Sequence, residues 1–148
     1  MTTVRDVAAY ILQKQGRMTT MKLQKLVYYS QAWSLVWDEK PLFSEKIEAW
    51  ANGPVCPELY GYHRGFYTVD DKEMGGNSSV LEPEEKETVD AVLEYYGEKS
   101  AQWLSDLTHL EAPWNDARGG CQRGELCTTE ITHASMAEFY SSLAYDEP

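Results

Sequence analysis

The sequence predicts a mainly α-helical fold: a compact single-domain bundle of five to seven helices, with a short extended segment near residues 46–51. Three observations carry this. Residues 21–37 contain no proline or glycine, and from Leu26 onward they are apolar or aromatic nearly all round, with Ser30, Gln31 and Ser34 as polar relief. A helix apolar on every side is one its neighbours enclose. The flanking segments repeat apolar residues at helical spacing, and 148 residues with 43% hydrophobic content suffice for one core. The whole chain, 1–148, therefore reads as a single domain.

Taken in order, the first helix starts at a Thr3 cap with Asp6 three residues on, a capping box at the positive helix end. Val4, Val7, Ala8, Ile11 and Leu12 form its apolar stripe, and Gln15-Gly16 ends it. Thr19 or Thr20 caps the central helix, which runs to Trp37 and is too short and too polar at its start to span a membrane. An extended segment around Ile47 to Trp50 precedes a turn at Asn52-Gly53-Pro54. Pro57 then opens a short helix through Leu59, Tyr60 and His63. Asp70 to Ser79, with two adjacent glycines, reads as a flexible loop. Pro83-Glu84-Glu85 opens a helix with Val89, Val92, Leu93 and Tyr96 inward and Gly97 at its end. Ser100 caps a further helix with Trp103, Leu104 and Leu107 inward, broken at Ala112-Pro113-Trp114; Arg118-Gly119-Gly120 is a loop. The last helix covers about Thr132 to Leu143, with Ile131 and Met136 placed as a hydrophobic staple.

Net charge is −11 and uneven. Residues 1–69 hold eight Lys/Arg against six Asp/Glu, whereas residues 70–148 hold five against eighteen. Direct nucleic-acid binding needs a basic face, so an acidic second half argues against it and for a basic protein partner or simple solubility. Three cysteines, an N-terminus without an apolar signal region and no long apolar run indicate a cytoplasmic protein with reduced thiols, no membrane segment and no targeting signal.

No nucleophile elbow or phosphate-cradling loop occurs. Cys56 could meet His63 or His109, but a buried thiol beside a proline turn is the simpler reading. Cys121, Cys127 and His133 fall six residues apart, wider than the usual spacing of zinc ligands. Catalytic, cofactor and metal sites are therefore not expected, and a binding protein fits better than an enzyme. For binding, Lys22, Lys25 and Tyr29 fall on one face of the central helix, a basic and aromatic strip at an end where acids are usual. Exchanging both lysines for glutamate is expected to abolish partner binding with the fold intact. His109, Glu111 and Trp114 at the helix break could form a rigid platform, and Trp50 and His63 sit among aromatic residues, including Tyr60, Tyr62 and Tyr67, of the kind found at interfaces. For each of these, core packing or solvation is the alternative, and for the two lysines also pairing with Glu48 or another acid.

The run Lys22-Leu23-Gln24-Lys25-Leu26-Val27-Tyr28-Tyr29 with Trp33 resembles the opening signature of the Panacea domain, the family of SocA-like antitoxins and phage-associated GepA-like proteins. Phe43-Ser44-Glu45, Ile47-Glu48-Ala49-Trp50, Gly53-Pro54-Val55, Thr108-His109 and Pro113-Trp114 continue the match in order. The resemblance implies an antitoxin of a toxin–antitoxin system that binds a cognate toxin protein directly and performs no chemistry. It also allows an adaptor that hands the toxin to an ATP-dependent protease, although the tail Ala144-Tyr145-Asp146-Glu147-Pro148 does not read as a degradation tag. Some members carry an extra terminal region for DNA binding; with none evident here, autoregulation by this chain alone is not expected.

Overall fold

The computed structural model describes residues 1–146; Glu147 and Pro148, the end of the tail read above, lie outside them. Among the described residues are eight α-helices and five short strands: α1 Val4–Gln15, β1 Met18–Thr19, α2 Thr20–Trp37, β2 Ile47–Trp50, β3 Gly53–Val55, α3 Pro57–His63, β4 Thr68–Val69, α4 Asp71–Met74, α5 Pro83–Tyr96, α6 Ala101–His109, α7 Ala112–Ala117, β5 Glu130–Ile131 and α8 His133–Asp146. The fold is mainly α, as expected. Five helices of nine or more residues make the bundle, and α3, α4 and α7 are single-turn or two-turn additions. No helix among the described residues is long and apolar enough to cross a membrane.

The caps fall where the residues place them. Thr3 and Asp6 form a reciprocal capping box on α1, Gly16 closes that helix at φ 82°, and Thr19 accepts the Lys22 N–H at the start of α2. Helix α2 is the hub. Leu23, Leu26, Val27, Tyr28, Tyr29 and Ala32 are at most 1% exposed, and α1, α5, α6 and α8 all pack on it. The apolar surface so enclosed is the main term holding the domain together.

Strand β2 is the middle of a small antiparallel sheet, β3-β2-β5. Trp50 pairs with Gly53, so Ala51 and Asn52 are the whole turn of a tight hairpin. On the other edge Ile47 pairs with Ile131, which ties the chain just before α8 to the same sheet. A separate two-stranded ribbon pairs Met18 with Val69.

Four expectations need correcting. Residues 70–79 are not a loose loop: Asp70 and Glu73 form a capping box on α4, Met74 is buried, and Arg5 Nε donates to the Met74 carbonyl at 2.8 Å. The paired glycines serve that contact, because a Cβ on Gly76 would lie 2.6 Å from the Arg5 carbonyl oxygen. Trp103 faces solvent, 41% exposed with the Lys99 ammonium 4.8 Å from its ring centroid, while Leu104 is fully buried and Leu107 packs partly buried against the core. Pro113 does not merely end a helix; it stands in the first turn of α7, where its missing N–H is harmless. Finally, the thiols are not all reduced. Cys121 and Cys127 are joined in a disulfide, their Cα atoms brought to 6.2 Å by a turn pinned to Arg118.

Candidate functional site

The candidate site lies around the Ala51-Asn52 turn, which borders two clefts. One, of about 260 Å³, is lined by Lys25, Gln24, Trp50, Tyr60 and His63, with Leu126 at its edge. The other, of about 660 Å³, is lined by His109, Trp114, Asn115, Arg118 and Arg123. Five of the eight residues singled out from the sequence, Lys25, Trp50, His63, His109 and Trp114, are thus brought to one face, divided by the hairpin.

In the smaller cleft, Trp50 and Tyr60 pack edge to face at 5.2 Å, and Tyr60 packs the same way on His63 at 5.4 Å. Trp50 is fixed by its indole N–H, which donates to Glu48 at 2.9 Å. Gln24 accepts from the Cys56 N–H at 2.9 Å and donates to the Cys56 carbonyl and to His63 Nε2. Since both amide hydrogens are then used, His63 is neutral with its proton on Nδ1, in keeping with the burial that holds it below its ordinary value. Lys25 is 1% exposed. Its ammonium donates to the Pro54 carbonyl at 3.3 Å and makes no ion pair with a carboxylate among the described residues. Burial alone pulls it down to about 8. Gly53 roofs it closely: at φ 125° a Cβ there would meet Lys25 Cε at 2.5 Å.

In the larger cleft, the His109 ring stacks on Trp114 at 4.0 Å, and Trp114 donates its indole N–H to the Trp50 carbonyl at 2.8 Å. Of the three residues expected to form a platform, His109 and Trp114 are stacked together and tied to the hairpin, and Glu111 is not with them. His109 Nε2 is buried with no hydrogen-bond partner among the described residues, and burial holds the ring below its ordinary value. Arg118 donates to the carbonyls of Ala49, Gln122 and Glu125 at 2.8–3.0 Å, so it binds the 119–127 loop to β2. Neither Arg118 nor Gln24 stood out in the sequence. A lone arginine before two glycines, or a glutamine inside an apolar helix, carries no pattern until its carbonyl partners are folded beside it.

The remaining expectations fare differently. Lys22, Lys25 and Tyr29 do not form a surface strip: Lys22 is half-buried, whereas Lys25 and Tyr29 are enclosed. The reason is that the helix is covered on all sides from Leu23 to Ala32, so one face of that part of α2 is no guide to exposure. Neither lysine meets Glu48, which pairs with Lys46 and Trp50. Replacing Lys25 by glutamate would bury a carboxylate against a carbonyl oxygen, so the double exchange would not spare the fold. Glu111 points into the core and not into the platform. Tyr29 and Tyr140 each donate to its Oε1 at 2.7 Å, which leaves Tyr28 to donate to the Tyr140 oxygen at 3.0 Å. Burial raises Glu111 above the ordinary carboxylate range. Of the residues weighed as metal ligands, Cys121 and Cys127 share the disulfide, and His133 Nε2 lies 3.3 Å from the Gln31 amide. Cys56 is buried and free, its thiol pushed up to about 11 by burial.

A mainly α-helical domain built round one enclosed helix, with a hairpin between two clefts, is the class of protein this is. It belongs to the SocA-like antitoxin family, the Panacea domain, whose family model matches residues 23–115, from α2 through the larger cleft's platform. No match was found among curated proteins or solved structures.

Proposed function

We propose that this chain neutralises a toxin protein by binding it directly, and that the hairpin face makes the grip. Membership of the antitoxin family is the observation that carries the reading. The choice of face is supported by the two clefts meeting at Ala51-Asn52 and by the partly exposed Tyr60 that lines the smaller one. Such a surface suits a protein partner: aromatic anchors on a rigid frame bury area at little entropic cost. No covalent step is needed, because occupying the toxin is enough. The −13 balance of residues 70–148 speeds and orients the approach of a basic toxin.

The test pairs this chain with the product of the gene adjoining its own. If that product halts growth alone, co-expression of this chain is expected to restore growth and the two proteins to co-purify. The variant Asn52→Arg with Tyr60→Ala, both at exposed positions, is expected to keep its far-ultraviolet circular dichroism and lose toxin affinity at least tenfold. Undiminished rescue by that variant would remove the hairpin from the interface. Growth arrest unrelieved by the wild-type chain, for every neighbouring product, would remove the antitoxin reading.

A further inference from the structure

We propose that the smaller cleft is a binding site for a small organic monocarboxylate whose flat apolar body lies against Trp50 and Tyr60 and whose charge is matched by Lys25. The starting point is the lysine. An ammonium has three donors and a charge, yet Lys25, 1% exposed and lining the cleft, has one carbonyl partner at 3.3 Å and no carboxylate among the described residues. Buried charges are ordinarily paired. Gln24, which lines the same cleft, cannot supply the missing partner, because it spends its whole amide on Cys56 and His63.

The chemistry of the ligand follows from the walls. One ammonium beside a neutral histidine balances one negative charge, and a chain of net charge −11 disfavours a polyanion. Met21, Val55 and Leu126, with the Trp50–Tyr60 pair, leave an apolar space of about 260 Å³. That is just under the usual range for ligand pockets and suits a body the size of one ring better than a bare ion. Lys25, fixed as a point charge under Gly53, holds one carboxylate oxygen by a charge-assisted hydrogen bond. The proposal does not depend on a toxin seating on this face, and its test uses the chain alone.

Benzoate and benzamide share a shape and differ in charge, so the full chain is titrated with each while its amide spectrum is followed by nuclear magnetic resonance. Benzoate is expected to move the signals of Lys25, Trp50, Tyr60 and His63 saturably, with a Kd in the millimolar range or below. Benzamide should bind at least tenfold more weakly, and Lys25→Met should lower benzoate affinity at least tenfold. Equal binding of the two probes would overturn the proposal, as would benzoate affinity unchanged in Lys25→Met or no shift at these four residues. Should Lys25→Met fail to fold, the benzoate-to-benzamide ratio in the wild-type chain decides the matter.

Discussion

Glu111 and Lys25 are both buried ionisable side chains, 7% and 1% exposed, and the molecule serves them in opposite ways. Around Glu111 every neighbour answers. Two tyrosine hydroxyls donate to one carboxylate oxygen, a third tyrosine donates behind them, and Tyr29 stacks on Tyr96 at 4.1 Å, whose hydroxyl takes the Trp33 indole N–H. Around Lys25 one long hydrogen bond to a carbonyl is the whole provision among the described residues, and a cleft opens beside it. The acid closes a core; the lysine sits at an edge left open. A buried polar group that is fully satisfied belongs to stability, and one that is not points toward function.

The comparison can be broken first at the acid. Glu111→Ala strands the Tyr29 and Tyr140 hydroxyls in the core, and urea unfolding should show a loss of about 3–5 kcal/mol, at about 1–3 kcal/mol per orphaned group. The next effect is on the lysine and concerns pH. The folded value of Lys25 is lowered from 10.5 to about 8, so between those values the unfolded chain binds the extra proton and stability rises with pH. Below about 8 the cost of the buried charge is fully present. Relative to Lys25→Met, the wild type should therefore gain up to about 3 kcal/mol from pH 8 to 10.5. Comparing with the variant cancels Cys56 and Tyr10, whose raised values act with the opposite sign in the upper part of that range, above their ordinary values of 9.0 and 10.0. Glu111 has the reverse slope. Its raised folded value means stability fully present at low pH and lost as pH climbs above 4.5, read against Glu111→Gln. The smallest effect sits far from both groups: Thr3→Ala removes one cap oxygen from α1 and should cost about 1 kcal/mol.

The same contrast explains what could be read from the sequence. Caps and stripes are local, so Thr3, Gly16, Pro57, Ser100 and the enclosed helix after Leu26 were legible, and the helical class followed. Trp50, His109 and Trp114 were legible as candidates because large aromatic side chains beside turns have few roles. Exposure was not, because Lys25 is roofed by Gly53 and Pro54 of β3, and Tyr29 is enclosed by Tyr96 of α5 and Tyr140 of α8, all arriving from later in the chain. The strand partners of β2 were hidden for a like reason: β5 is two residues lying 80 positions away and carries no periodicity of its own. Asp70 to Ser79 misled because its glycines, read as slack, are the residues that let backbone approach Arg5. The disulfide depended on Arg118 folding the intervening turn, a contact no spacing rule encodes.

The claim at the centre of this account is that the partner is gripped where the hairpin stands between its two clefts. Amide hydrogen exchange of the chain, free and bound to its toxin, tests it most directly. Slowed exchange concentrated in β2, β3, α3 and residues 109–118, with α5 unchanged, is the result expected; protection over α5 with the hairpin unaffected would contradict it.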